Sequence, residues 1–502
     1  MLRLATCLCF LASLSQAVEF DPWFEDHMVL QRDRPIILFG TSRPSTVVQV
    51  RLGQVATSAK SSSEGVWQAR LPAQPYSLQP LELAVRDDQE EQVLHDVLIG
   101  DVWLAAGQSN MEFPLARDQA AKTEIPQANL PLLRLRNHRF AGQYHGATAL
   151  DQETVDHLNA QEFFSGHWET CTPSSVPEMS AVGYYFARRI VKATGVPIGL
   201  VNFSIGGAPI EAFISQSALQ HSPDFDKKVR GNWLDNPAIE DSFVRLRARQ
   251  HLGTNVAPHD DFGPNHGYKP GFAWLAGPAK ITRCPIAGVI WYQGESNAIR
   301  QVDVQEYTGL MKLLMSDWRE QWHLPELPFL WCQLPSIDEP VRQFWPEFRE
   351  VQRKLLTQAD TGMAVTLDLG TPHDVHPRQK LEVGERLARW ALYYQYGQHD
   401  HLASGPLPLG VTATAGEVQV SFRYASGLHL KPELKPLIEV ADANLHFVPC
   451  TATVQEQRLV IKLPKNFGTP TRVRYAWAMN AAAALVNQDN LPASPFELTI
   501  TP

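Results

Sequence analysis

The sequence predicts an α/β fold: a mainly parallel sheet sandwiched by helices, with a β-sandwich-like module at each end. Three observations predict it. Between about residues 98 and 400, apolar strand-like runs alternate with helical patterns, as in a parallel sheet covered by helices. Before and after that block, short segments alternate at period two between Gly, Pro and Ser turns. The 502 residues also exceed what one ordinary core holds, and suggest about two to four domains.

The chain opens with Arg3, an apolar segment from Leu4 to Leu14, and the small-residue pattern Ser15-Gln16-Ala17. That is the pattern of a signal peptide over residues 1–17, too short to span a bilayer. Cleavage after Ala17 would leave 502 − 17 = 485 residues on the secretory route, destined for the lysosome or the exterior. No later run reaches spanning length, so stable membrane insertion is not expected.

Residues 18–97 read as an N-terminal β module, with strands expected at Pro35–Phe39, Thr46–Leu52 and Gly65–Leu71. It carries no catalytic constellation and is expected to be a packing module. Residues 98–400 form the α/β block. Its expected strands are Val102–Ala105, Ile198–Val201, Ala287–Trp291, Phe329–Trp331 and Met363–Leu367. Its expected helices run from Ala181 to Lys192, Tyr307 to Trp322 and Arg378 to Tyr396. Two poorly periodic stretches, about 118–175 and 222–271, read as insertions over the sheet edge. Residues 401–502 return to alternating strands, including Glu417–Arg423 and Thr471–Trp477, and form a C-terminal β module.

Composition narrows the function classes. Hydrophobic residues are 44% and charged residues 19%, with a net charge of −9, which describes a globular protein with a mildly acidic surface. The basic stripe that phosphate backbones require is missing, so nucleic acid is not an expected partner. Beyond the leader, Cys171, Cys284, Cys332 and Cys450 could form up to two disulfides, in three full pairings. Their spacing fits neither a redox motif nor a zinc site. The one N-glycosylation sequon, Asn202-Phe203-Ser204, follows an apolar run and is expected to be poorly occupied. His259 and His266 near Asp260-Asp261 fit no standard metal signature, and a solvated loop is the expected reading.

Four segments bring polar groups to strand ends. They are Gly107-Gln-Ser109-Asn-Met, Ser204-Ile-Gly206-Gly207-Ala-Pro-Ile-Glu211, Trp291-Tyr-Gln293-Gly-Glu295-Ser-Asn297 and Asp374-Val-His376-Pro377. Open α/β sheets gather their chemistry at that edge. A serine first and an Asp/His pair last suits the order of a serine hydrolase.

These blocks resemble those of the SGNH-type carbohydrate esterases, specifically members that deacetylate sialic acid. Asp26-His-Met-Val-Leu-Gln31 and Val93–Trp103 extend the likeness over nearly the whole chain after residue 17. The resemblance implies an SGNH-hydrolase-like fold, no cofactor, no metal, and a serine carboxylic ester hydrolase acting through an acetyl-enzyme. O-acetylated sialic acid, free or on a glycan, is the implied substrate, with 9-O-acetyl and 4-O-acetyl esters as the bonds. Another acetylated carbohydrate such as xylan is the alternative substrate. A non-catalytic carbohydrate-binding protein is the other alternative, and intact Ser109 and His376 argue against it.

The implied roles agree with elementary chemistry. Ser109 is the nucleophile, inert until a base takes its proton. His376 is that base, because an imidazole titrates near pH ~6.5 and can return the proton to the leaving alcohol. Asp374 is the acid that orients the ring. It lies two residues before the histidine, where the family commonly has three, so Asp368 and Glu295 are its alternatives. The oxyanion donors are the Ser109 N–H, the Gly207 N–H in preference to that of Gly206, and the Gln293 amide, with Asn297 its alternative.

Overall fold

The computed structural model describes residues 17–237, 243–414 and 416–500. Apart from Ala17, the expected signal peptide lies outside them. Seven strands form the centre: β1 (Glu91–Gly107), β2 (Leu130–Asn137), β3 (Trp168–Cys171), β4 (Ile198–Asn202), β5 (Gly288–Tyr292), β6 (Phe329–Cys332) and β7 (Thr361–Ala364). Their order across the sheet is β3-β2-β4-β1-β5-β6-β7. All neighbours are parallel except the edge pair β3 and β2. β4 and β5 flank β1, so the strand order reverses there, and the C-terminal end of β1 opens at a topological switch point.

The principal helices are α1 (Ser109–Glu112), α2 (Ala181–Thr194), α3 (Gln301–Gln321), α4 (Trp345–Lys354) and α5 (Leu381–Tyr394). α2 begins where the Ser180 hydroxyl accepts the Gly183 N–H at 3.0 Å, and ends at left-handed Gly195. Helices cover both faces of the sheet. The Trp318 ring of α3 lies 5.9 Å from that of Phe329. The α5 indole of Trp390 packs over Gly362, which pairs with Leu330. Neighbouring strand residues point to opposite faces, so α3 and α5 lie on opposite sides.

β4, β5 and β6 are buried on both faces, which is why they read as continuous apolar runs. β2 and β3 fall inside the stretch expected as an insertion over 118–175. Arg134 and Arg136 disguise β2, because both are buried against residues distant in the chain. Arg134 pairs with Asp96, with Nη2 2.9 Å from Oδ1. Arg136 pairs with Glu25 at 2.8 Å and lies over the Trp23 ring. The expected strand Met363–Leu367 stops at Ala364, and the chain turns into a 3₁₀ segment at Leu367–Leu369.

β1 is continuous across the boundary expected at 97/98. Its first half pairs antiparallel with Ser77–Arg86 and parallel with Val29–Gln31. Its second half is the central parallel strand. The remaining N-terminal strands include Ile36–Thr41, Val47–Leu52 and Val66–Leu71.

The C-terminal region holds two four-stranded antiparallel sheets. The Phe422 and Phe496 rings, one from each, lie 5.9 Å apart. The buried Arg349 guanidinium of α4 joins this region to the core, donating to the carbonyls of Leu334, Ala478 and Met479 at 2.9 Å each. Cys171, Cys284, Cys332 and Cys450 are all free thiols, so neither of the two disulfides their number allows is formed. The Asn202 amide of the sequon is buried and donates to Asn137 Oδ1 at 2.8 Å.

Candidate active site

β1 ends on a tight turn that delivers Ser109 to the sheet edge. Gly107 has φ +131°, and a Cβ there would meet the Tyr292 carbonyl oxygen at 2.2 Å, so β1 and β5 approach more closely than any side chain allows. The Gln108 N–H donates to that same carbonyl at 2.9 Å. α1 then starts at Ser109 itself.

The Ser109 Oγ lies 2.8 Å from His376 Nε2, although the two residues are 267 positions apart. For the serine to donate, Nε2 must be unprotonated, which places the ring proton on Nδ1. Among the described residues Nδ1 has no hydrogen-bond partner. The Asp374 carboxylate instead accepts the backbone N–H of His376 at 2.8 Å. It therefore shapes the loop that carries the histidine rather than clamping the ring. Burial pushes the His376 pKa below the ordinary imidazole value, aided by the Lys380, Arg117 and Arg342 charges and opposed by Asp374.

Neither alternative acid bonds to the ring. Both Asp368 oxygens are taken by Arg386, at 2.6 Å each. Glu295 accepts from the Asn110 side-chain amide, and its Oε2 is buried without a partner. Burial also pushes the Glu295 pKa up. Asn110 links the motifs: its amide also donates to the Val375 carbonyl at 2.9 Å, and its Oδ1 accepts from Lys380 Nζ at 2.5 Å. The neighbours of Ser109 and His376 are thus tied together beneath the reactive pair. The Lys380 pKa is pushed down to about 8 by its burial.

The Ser109 and Gly207 N–H groups make no hydrogen bond among the described residues, and both residues line one cavity. The Glu112 carboxylate crowds Gly206, where a Cβ would lie 2.6 Å from Oε2. Gln293 corrects the sequence expectation. Its fully buried amide donates to Asn297 Oδ1 at 2.7 Å and Gln108 Oε1 at 3.1 Å, and its Oε1 accepts from the Tyr307 hydroxyl at 2.9 Å. It is absent from the cavity wall, so it organises the turn under Ser109 and cannot meet an oxyanion. Asn297 is spent likewise, on Gln293, the Ile210 N–H and Glu211.

The cavity encloses about 960 Å³. Much of its wall comes from the two poorly periodic stretches, through residues such as Tyr144, Phe163, Arg247 and Tyr268. His266 turns inward to His251, 2.9 Å away, while Asp260 pairs with Lys269, so these groups part rather than gather around an ion. Sequence reasoning missed Glu112, three residues after Ser109 and just past the end of its motif. Its carboxyl lines the cavity, accepts from Gln143 at 2.9 Å, and is pushed up to about 7, chiefly by burial.

A serine bonded to a histidine, beside unpartnered N–H groups at the switch point of an α/β sheet, is the arrangement of a serine hydrolase. A family profile described as carbohydrate esterase, sialic acid-specific acetylesterase, matches residues 275–393. The sialate O-acetylesterase of Mus musculus is 26% identical over 95% of this chain and 93% of its own length. That of Homo sapiens is 27% identical over 96% and 92%. The crystal structure of a carbohydrate acetylesterase from Xanthomonas citri is 30% identical, covers 96% of this chain and 99% of its own, and superposes with a TM-score of 0.76. The chain belongs to this carbohydrate esterase family, the sialic acid-specific acetylesterases.

Proposed function

We propose that the protein hydrolyses O-acetyl esters of sialic acids through Ser109. The observation that carries this reading is the 2.8 Å contact between Ser109 Oγ and His376 Nε2 at the wall of a cavity roomy enough for a sugar. Ser109 attacks the acetyl carbonyl as its proton passes to His376 Nε2. The tetrahedral oxyanion is received by the Ser109 and Gly207 N–H groups. Collapse breaks the ester bond, and His376 returns the proton to the sugar oxygen. Water then enters, gives a proton to His376, and attacks the acetyl-enzyme; acetate leaves as Ser109 regains its proton. The family resemblance supports 9-O-acetyl and 4-O-acetyl groups as the bonds cleaved. The leader-like segment ending at Ala17 supports entry into the secretory pathway, toward the lysosome or the exterior.

The test uses the full chain made in a secreting eukaryotic host. Its recovered N-terminus is expected at Val18, and retention of the leader would count against the secretory route. On 9-O-acetylated sialic acid, Ser109→Ala is expected to lower kcat by roughly 10³-fold or more. Undiminished turnover by that variant would defeat the mechanism, and faster deacetylation of xylan than of sialic acid would defeat the substrate assignment.

A further inference from the structure

We propose that Tyr268 is a positioning residue for ester hydrolysis, its hydroxyl aiming the Gly207 N–H at the developing oxyanion. The inference rests on the reading of Ser109 as nucleophile and Gly207 as oxyanion donor, and adds a residue outside all four sequence motifs.

The Gly206-Gly207 pair follows β4 at the cavity wall, and side chains hold both of its carbonyls. Gly206 itself lies against the Glu112 carboxylate, with Oε2 2.6 Å from where a Cβ would stand. The Gly206 carbonyl accepts from the Tyr268 hydroxyl at 2.8 Å. The Gly207 carbonyl accepts from Ser296 Oγ at 2.9 Å. The Gly207 N–H is left without a partner among the described residues.

That N–H and the Gly206 carbonyl are opposite ends of one planar peptide unit. A hydrogen bond at the oxygen therefore fixes the direction of the N–H. It also polarises the amide, strengthening the bond the N–H can donate by roughly 10–30%. Gly207 has φ +77°, and a Cβ there would lie 2.4 Å from the Tyr268 hydroxyl oxygen, so the phenol is pressed onto the peptide it holds.

The phenol is itself held in place. The His266 and Tyr268 rings meet edge-on at 4.6 Å, and the Tyr268 backbone N–H donates to His266 Nδ1 at 3.1 Å. His266 Nδ1 is thus an acceptor, which places the proton of the neutral ring on Nε2. From there it donates to His251 Nδ1 at 2.9 Å, and His251 Nε2 donates in turn to the Gly146 carbonyl at 2.7 Å. Burial raises the Tyr268 pKa far above the ordinary phenol value, so its hydroxyl remains a donor at every working pH.

Tyr268→Phe removes one oxygen and keeps the ring. On 9-O-acetylated sialic acid its kcat is expected to fall about 10-fold to 10²-fold, somewhat less than for outright loss of an oxyanion donor. KM is expected to stay within about twofold, as for an interaction made only in the transition state. A boronic acid that adds to Ser109 as a tetrahedral anion should lose affinity by the same factor as kcat, whereas acetate binding and Tm should hold. A merely structural role would weaken boronate and acetate alike and lower Tm. Wild-type kcat, or parallel loss of both ligands, would overturn the proposal. If the Phe variant fails to fold, 3-fluorotyrosine at position 268, a stronger donor of similar shape, must raise kcat; an unchanged or lower value would be equally fatal. Activity surviving in Ser109→Ala would instead refute the function reading, so the two failures are distinguishable.

Discussion

His376 must be neutral to take the Ser109 proton, so its depressed pKa extends the working range toward acid. The acid limb of kcat/KM is expected below pH ~6.5, the ordinary imidazole value. Asp374 opposes that depression by its charge. Asp374→Asn should therefore move the limb to still lower pH. An asparagine oxygen can still accept the His376 N–H, so the loop should persist and kcat should fall only about tenfold. That is far less than the ~10⁴-fold seen when a carboxylate that clamps the ring is replaced. A fall of that larger size in pH–rate measurements would show that Asp374 grips Nδ1 during turnover. Ser109, His376 and Gly207 were read from local motifs: Ser109 lies just after β1, Gly207 lies in the loop after β4, and His376 lies in the loop before α5, well beyond the end of β7. Gln293 was legible as a strand-end amide, but its direction was not. Gln108, Asn297 and Tyr307 decide which way that buried side chain points.

Among the elements, the turn from β1 into α1 bears the closest tolerance. Gly107 and Gly195 both have positive φ, but a Cβ at Gly107 would strike the β5 backbone while one at Gly195 meets nothing within 4 Å. Gly195→Ala is expected to cost about 1 kcal/mol in chemical denaturation and leave kcat intact. Gly107→Ala must push β1 from β5 and displace Ser109, and a shift of about 1 Å is enough to cost roughly 10²-fold in rate. Wild-type kcat for Gly107→Ala would mean that the turn is softer than its packing indicates. β2 shows the opposite limit of sequence reading. Its arginines look like surface residues until Asp96, Glu25 and Trp23 are seen around them.

Over the whole molecule, burial and hydrogen bonding hold the fold without a covalent staple among the described cysteines. Reductant is therefore expected to leave Tm unchanged, and thiol titration of the unfolded protein made without residues 1–17 should count four free cysteines. A lower count, or a Tm that falls with reductant, would reveal a disulfide. Burial of Asn202 in β4 likewise places its sequon out of reach once the chain has folded.

The alternation of apolar runs by itself determined the layered α/β core, because the periods of strand and helix are local properties. The four motifs by themselves determined which edge carries the chemistry, because each directly follows a strand or a turn. Only the tertiary structure decided which partners Gln293, Asp374 and Tyr268 meet there. Gln293 and Tyr268 meet partners brought from far along the chain, as when Gln293 meets Gln108 across 185 residues, whereas Asp374 turns to a backbone N–H two residues away; no local pattern records where such a polar group will point.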